Sequence, residues 1–167
     1  IPGRDDFTGQ AFHTARWPHE TVSFEGKRVG IIGTGATAIQ AIPEVAKTAE
    51  RLTVFQRHPN WAAPLHNSRI TPEEQKDIKA RYKEIYAHCW ETVACFIHHP
   101  DPRSALEVTP EEREAFWEKL YSEPGFGIWL GNFRDVLTDE RANALMTEFA
   151  ARKIRERVND PVIAEKL

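Results

Sequence analysis

The sequence predicts an α/β fold in which one strand–helix–strand unit precedes a mostly helical region. Residues 29–32 form a short apolar run rich in β-branched side chains, and residues 33–38 continue it with a glycine-containing turn that opens a helix. A second apolar run at 52–55 follows at the distance expected for the next parallel strand. From Thr71 onward the spacing becomes helical. The first part is therefore expected to be a partial Rossmann-like βαβ domain, with strands suited to burial in a parallel sheet.

The turn after the first strand carries small residues at the spacing of a dinucleotide-binding motif. Gly33 allows a tight turn, Gly35 lets the backbone approach a pyrophosphate, and Ala38 allows helix and strand to pack closely. The helix N-terminus would attract the phosphates through free N–H groups and its dipole. A glycine turn without a nucleotide is the alternative. The candidate cofactor-binding residues here are Gly33, Thr34, Gly35, Ala36, Thr37, Ala38 and Gln40.

The residues after the second strand indicate which dinucleotide binds. An NAD site usually has Asp or Glu at this point for the ribose hydroxyl, whereas this chain has Gln56, Arg57 and His58. A guanidinium can hold a 2′-phosphate through two charge-assisted hydrogen bonds, and a carboxylate would repel it. The sequence therefore favours NADPH over NADH, with Arg57 as the selective residue. The alternative is that Arg57 makes an unrelated surface ion pair.

A second motif lies upstream, with its residues spaced as Phe7-x-Gly9-x-x-x-His13-x-x-x-Trp17-Pro18. Together with the glycine motif, it resembles the fingerprint of the Baeyer–Villiger monooxygenases, flavoenzymes that use NADPH and oxygen to insert an oxygen atom beside a ketone carbonyl. The resemblance covers nearly the whole chain. Related flavin monooxygenases acting on nitrogen or sulfur usually lack the Trp-Pro ending, so the ketone-oxidising branch is favoured.

The resemblance implies FAD and NADPH as cofactors, and a ketone and molecular oxygen as small-molecule partners. It implies that Arg57 and His58 lie at the NADPH 2′-phosphate. Many members have Thr or Ser in place of His58, and histidine holds phosphate best when protonated, so this contact is expected to depend on pH. His13 is expected to couple the flavin and NADPH domains rather than to transfer protons. The full coupling fingerprint is Phe7, Gly9, His13, Trp17 and Pro18.

Composition argues against several other classes of protein. The 167 residues carry a net charge of −3 with interspersed signs, which disfavours a nucleic-acid partner. The sequence shows neither a long apolar span nor a signal peptide, which predicts a cytoplasmic protein without a membrane partner. Cys89 and Cys95 are expected to be reduced and partly buried. Beside them, His98 and His99 match no zinc spacing, so no metal site is predicted.

Three segments are expected, namely a linker with the fingerprint at 1–26, the NADPH-binding unit at 27–67 and a helical insertion at 68–167. Thr71 and Thr109 are each followed by proline and two glutamates, which predicts a helix start at both. The first helix is expected to run to about Phe96. Further helical segments are expected around 116–120, over 129–137 and from about 140 to 158, the last with Leu145, Met146, Phe149 and Ile154 in the core.

Two strands cannot cover either face of an open parallel sheet, and the sequence contains one glycine motif where a flavin- and NADPH-dependent enzyme needs two. The expectation is a fragment of a larger flavoenzyme, with the FAD site mostly outside this chain and no catalytic residue assignable within it. The alternatives are a fragment of a nitrogen- or sulfur-oxidising flavin monooxygenase, a non-catalytic NADPH-binding module and a helical interaction module.

Overall fold

The computed structural model describes residues 2–167, which divide into two compact units, the first ending at Asn60 and the second running over Trp61–Leu167. In the first unit, an irregular segment with two short 3₁₀ turns, Arg4–Asp6 and Thr14–Arg16, precedes the sheet. The second unit is helical. The architecture is therefore mixed α/β, as the sequence predicts.

Two strands and one helix form the centre of the first unit. Strand β1 is Arg28–Ile32, helix α1 is Ala36–Ala46 and strand β2 is Arg51–Phe55. The strands are parallel and in register from the Arg28–Arg51 pair to the Ile32–Phe55 pair. Helix α1 packs on both strands and buries Val45. Both predicted strands and the helical crossover between them are confirmed.

The two strands of this unit are only partly covered, as the sequence predicts for a two-stranded parallel sheet. Ile32 at the end of β1 is 75% exposed, and its neighbour Phe55 on β2 is 57% exposed. A two-stranded sheet has one helix to cover it here, so much of its apolar surface stays open to solvent. The apolar residues of the strands are suited to burial. The number of elements that pack against the sheet determines how much of their surface is buried.

The second unit contains six helices within the described residues. They are α2 (Pro72–Ala80), α3 (Tyr82–Trp90), α4 (Pro110–Ser122), α5 (Gly127–Leu130), α6 (Glu140–Arg157) and α7 (Pro161–Ala164). Both predicted helix starts are confirmed. Thr71 and Glu74 form a reciprocal capping box at α2, and Thr109 and Glu112 form the same arrangement at α4.

The single helix expected from Thr71 to about Phe96 is wrong in two respects. The backbone leaves helical geometry at Arg81, with φ −105° and ψ 12°, which separates α2 from α3. Helix α3 then ends at Trp90. The Thr92 hydroxyl lies within hydrogen-bond distance of the carbonyl oxygens of Cys89, at 2.9 Å, and Phe96, at 2.7 Å, and its single proton can be donated to either, which stabilises a turn in place of another helical turn.

The helix expected over 129–137 is also wrong, because α5 ends at Leu130. Gly131 follows with φ −104° and ψ 11°, and the buried Asn132 side chain then binds the local backbone. Its amide group donates to the Ile128 carbonyl at 2.9 Å, and its oxygen accepts from the Phe133 N–H at 2.8 Å. This side chain replaces the hydrogen bonds that a continued helix would have made.

The helical unit has one apolar core, and ion pairs connect its helices at the surface. The indole N–H of Trp117 donates to Asn132 at 2.8 Å inside this core. On the surface, Arg152 of α6 pairs with Glu114 and Glu118 of α4. The buried core consists of Ala105, Trp117, Leu120, Ile128, Phe133, Val136, Ala142, Met146 and Phe149.

Helix α6 matches the segment predicted at 140–158 to within one residue. Met146 and Phe149 are buried as predicted, Leu145 packs against the core, and Ile154 is half-buried. Of the two free cysteines, Cys89 is half-buried but Cys95 is exposed, so the expected partial burial is wrong for Cys95. Among the helices of residues 2–167, none combines the length and apolar character needed to cross a bilayer.

Candidate functional site

The candidate site lies where β1 and β2 end. Because the strands are parallel, their carboxyl ends share one edge of the sheet, and the loops that follow them, 33–35 and 56–60, lie beside each other. Helix α1 begins directly after the first of these loops. The glycine turn (33–35), the N-terminus of α1 and the loop 56–60, called the basic loop because it contains Arg57 and His58, therefore meet within the first unit.

Gly33 makes the turn out of β1. Its φ is +101°, which L-residues with side chains rarely adopt, and its N–H donates to the Phe55 carbonyl oxygen at 2.8 Å. The ladder of the sheet thus extends to the first residue of the turn. The tight turn predicted at this glycine is present.

The N-terminus of α1 has no side-chain cap, because its N-cap residue is Gly35. The first helical hydrogen bond runs from the Ile39 N–H to the Gly35 carbonyl at 3.0 Å, so the N–H groups of Ala36, Thr37 and Ala38 have no acceptor within the helix. A Cβ atom built on Gly35 meets nothing within 4 Å. This end of α1 therefore offers N–H donors and open space to an anion.

Two hydrogen bonds join the loops. The Thr34 hydroxyl donates to the His58 carbonyl oxygen at 3.4 Å, and the Asn60 amide group donates to the Thr34 carbonyl oxygen at 2.6 Å. The sequence assigned no role to Asn60. No local pattern could have indicated it, because its partner lies 26 positions earlier in the chain.

Arg57 lies in the basic loop with an exposed side chain. Within residues 2–167, no carboxylate forms an ion pair with it, so its guanidinium is available to a ligand. His58 is also exposed and contributes its backbone carbonyl to the loop contact. Gln40 is less available, because its amide group donates to the Ala36 carbonyl oxygen at 3.0 Å.

The upstream fingerprint motif forms a compact arrangement ahead of β1. A Cβ atom on Gly9 would lie 2.6 Å from the ring of Phe7, so glycine allows that ring to fold over the backbone. The Nδ1 atom of His13 accepts a hydrogen bond from the Ala15 N–H at 3.2 Å and caps the second 3₁₀ turn. This contact leaves Nε2 as the nitrogen that can reach an external partner.

Aromatic contacts hold the second half of this motif. The Trp17 ring lies 5.6 Å from Phe12 and 6.1 Å from Phe24, measured between ring centres. Pro18 is half-buried beside it. The Lys27 ammonium donates to the Gln10 side chain at 3.1 Å, which connects the motif to the residue before β1. The fingerprint is thus attached to the βαβ unit, although its side chains remain largely exposed.

The arrangement can bind a phosphate-containing ligand, because backbone N–H donors and a free guanidinium lie at the same edge of the sheet. No metal site accompanies it: across the described part of the chain, no three His, Cys, Asp or Glu side chains come together in a group that could hold an ion. The carboxylates with lowered pKa include Asp101 and Asp135, which lie in the helical unit.

Comparison with known proteins adds a second line of evidence. Residues 1–76 match the family model described as flavin-binding monooxygenase-like. The whole chain is 49% identical to 2-oxo-Δ3-4,5,5-trimethylcyclopentenylacetyl-CoA monooxygenase of Pseudomonas putida and 41% identical to cyclohexanone 1,2-monooxygenase of an Acinetobacter species. It covers 32% and 31% of these relatives, respectively, and so spans about a third of their length.

A solved structure gives the same result. The chain superposes with a TM-score of 0.96 on OTEMO in complex with FAD and NADP, with 49% identity, covering 100% of this chain and 32% of that one.

Proposed function

The chain belongs to the Baeyer–Villiger monooxygenase family, and from this premise we propose that it is the NADPH-binding portion of a flavin-dependent enzyme that inserts oxygen beside a ketone carbonyl. The observation that carries the proposal is the uncapped N-terminus of α1, with open space at Gly35 and the free guanidinium of Arg57 in the neighbouring loop. In this proposal the βαβ unit is the beginning of a Rossmann-like domain, the 1–26 segment is the coupling linker and the 68–167 segment is a helical insertion.

The residues at this edge of the sheet fit the pyrophosphate of a dinucleotide. Gly35 has no side chain to fill the space in front of the helix, and the first-turn N–H groups have no internal acceptor. The OTEMO structure, which superposes over the whole chain, contains NADP as well as FAD. We assign the pyrophosphate to the residues Gly33, Thr34, Gly35, Ala36, Thr37 and Ala38, with Gln40 as a peripheral contact.

Arg57 and His58 give the site its preference for NADPH over NADH. A guanidinium binds a 2′-phosphate through paired, charge-assisted hydrogen bonds, and these are lost when that phosphate is absent. His58 adds to this contact when its ring is protonated, so NADPH affinity is expected to be higher at lower pH.

NADPH held by these residues would supply a hydride for FAD, and FAD would supply the oxygen chemistry that converts the ketone and O₂ into an ester or lactone and water. The residues of this chain bind and orient the nucleotide for that reaction. Phe7, Gly9, His13, Trp17 and Pro18 are proposed to couple the βαβ unit to the flavin-binding part, and no residue of this chain is proposed to be catalytic. The ketone and oxygen are the proposed small-molecule partners.

A calorimetric titration of the purified protein with NADPH, and separately with NADH, tests the nucleotide assignment. We expect saturable binding of both nucleotides, with NADPH bound at least about tenfold more tightly, which corresponds to about 1.4 kcal/mol. Arg57→Ala should remove most of the preference, whereas Arg51→Ala, at the opposite end of β2, should keep it. Absence of NADPH binding in a folded protein would refute the proposal.

The reaction class is tested with the larger FAD-loaded flavoenzyme of which this chain is proposed to be the NADPH-binding portion, together with NADPH and a simple cyclic ketone such as cyclopentanone or cyclohexanone. Oxygen-dependent formation of the corresponding lactone is the expected result. Oxidation of an amine or a sulfide without any lactone would instead assign the protein to nitrogen or sulfur oxidation. Nucleotide binding without oxidation of any of these substrates would favour a non-catalytic module.

A further inference from the structure

The hydrogen bond from Asn60 to Thr34 lies inside the proposed nucleotide site but belongs to neither the glycine motif nor the basic loop's phosphate contacts. The distance from Asn60 Nδ2 to the Thr34 carbonyl oxygen is 2.6 Å. Both residues belong to the first unit, and the bond spans the space between the two loops. It acts on the residue between Gly33 and Gly35, where the backbone has to keep one conformation for phosphate binding.

The geometry of the peptide bond makes this contact directional. The Thr34–Gly35 peptide is trans, so the Thr34 carbonyl and the Gly35 N–H lie in one plane and point in opposite directions. A donor that holds the carbonyl on the side of the basic loop therefore turns the Gly35 N–H toward the opposite side. Glycine next to this peptide has little conformational preference of its own, so an external contact has to fix the plane.

The backbone hydrogen bonds on either side do not fix the orientation of the Thr34–Gly35 peptide. The Gly33 N–H is held by the Phe55 carbonyl at 2.8 Å, and the Gly35 carbonyl is held by the Ile39 N–H at 3.0 Å. Between these two anchors, the Thr34 carbonyl is held by Asn60 alone among the hydrogen bonds of residues 2–167. The weaker Thr34 hydroxyl contact to the His58 carbonyl, at 3.4 Å, joins the same loops through a side chain that can rotate.

We propose that Asn60 is a positioning residue for the nucleotide: by holding the Thr34 carbonyl, its amide group fixes the direction of the Gly35 N–H, a phosphate donor. The inference rests on the proposed function and adds to it a residue that acts without touching the ligand. It implies that Asn60 serves the pyrophosphate, which NADPH and NADH share, and that it has no part in recognising the 2′-phosphate.

Asn60→Ala removes the donor, and Asn60→Asp replaces it with an acceptor that cannot bind a carbonyl oxygen when ionised. For both variants we expect affinity for NADPH and NADH to fall by the same factor, roughly 3- to 10-fold for one lost hydrogen bond. The ratio of the two affinities should stay unchanged, in contrast to Arg57→Ala. The control is Asn67→Ala, because Asn67 is exposed in the other unit and makes no side-chain hydrogen bond within the described residues.

Hydrogen exchange of the nucleotide-free protein gives a readout that does not depend on ligand binding. Amides of residues 33–38 should exchange faster in Asn60→Ala than in the unmodified protein, with an unchanged thermal transition. Unchanged exchange, unchanged affinities or a loss confined to NADPH would each overturn the role of Asn60. A different result would be faster exchange in Asn60→Ala together with no binding of either nucleotide by the unmodified protein. That result would refute the proposed function, although the hydrogen bond between the two loops would still be supported.

Discussion

The Gly33 N–H donates to the carbonyl oxygen of Phe55 at 2.8 Å, one residue beyond the last registered pair of β1 and β2. The sheet thus holds the first residue of the turn that leads into α1. Because Gly33 has a φ of +101°, this attachment depends on a backbone conformation that residues with a Cβ atom rarely adopt. The two glycines of the turn are therefore expected to respond differently to the same substitution.

Gly33→Ala should destabilise the βαβ unit by about 1–3 kcal/mol, the usual cost of holding an L-residue in a sparsely populated backbone region. The added methyl group meets nothing within 4 Å, so the cost arises from the backbone and not from a clash. Urea-induced unfolding measures it. An unfolding free energy equal to that of the unmodified protein would show that the turn can relax to another conformation.

Gly35→Ala should leave stability within about 0.5 kcal/mol of the original, because its φ of −67° and ψ of 176° suit alanine. Its methyl group would occupy the open space where the pyrophosphate is proposed to lie. We expect NADPH and NADH affinities to fall by about tenfold or more, equivalent to about 1.4 kcal/mol. Normal affinity measured by calorimetry in this variant would place the phosphates elsewhere.

Arg57→Ala should weaken NADPH binding by about 1–3 kcal/mol and leave NADH nearly unchanged, because only NADPH carries the phosphate that the guanidinium would hold. Paired titrations with the two nucleotides measure the difference. Arg51→Ala is the matched control, since Arg51 is an exposed arginine at the beginning of the same strand. Equal losses for both nucleotides would contradict the assignment of Arg57 to the 2′-phosphate.

Asp135 should make the helical unit less stable in acid. Partial burial raises the pKa of this carboxyl group, but hydrogen bonds from the Ser104 hydroxyl and the Ala105 N–H, at 2.5 Å and 2.9 Å, outweigh it, so the pKa lies below its ordinary value. A carboxyl group with a lowered pKa in the folded state stabilises that state above its unfolded pKa of about 4, and this contribution is lost as the pH falls through the folded value.

Asp135→Asn should therefore cost about 1–3 kcal/mol near pH 7, since a charged acceptor of two hydrogen bonds is lost. The difference in unfolding free energy between the two proteins should be constant above about pH 5 and shrink progressively below about pH 4. Urea unfolding at a series of pH values measures it. If the difference in unfolding free energy instead grew toward low pH, the folded state would raise the pKa of Asp135, which contradicts the lowered pKa.

The local features of the fold could be read from the sequence. The capping boxes at Thr71 and Thr109 involve residues three positions apart, and the strands are short apolar runs. Signals of this kind lie within one helix or strand, so they do not depend on how the other elements pack. The break between α2 and α3 at Arg81 has no such signal in the sequence. The end of α5 depends on the hydrogen bonds that the Asn132 side chain makes in the folded protein.

The candidate site divides along the same line. The sequence by itself determined the glycine turn, the uncapped start of α1 and the position of Arg57 after β2, because each follows from residue type and spacing along the chain. Only the tertiary structure decided that Asn60 holds the Thr34 carbonyl. This contact depends on which distant residues meet in the folded chain, and such a meeting is not encoded in a local pattern.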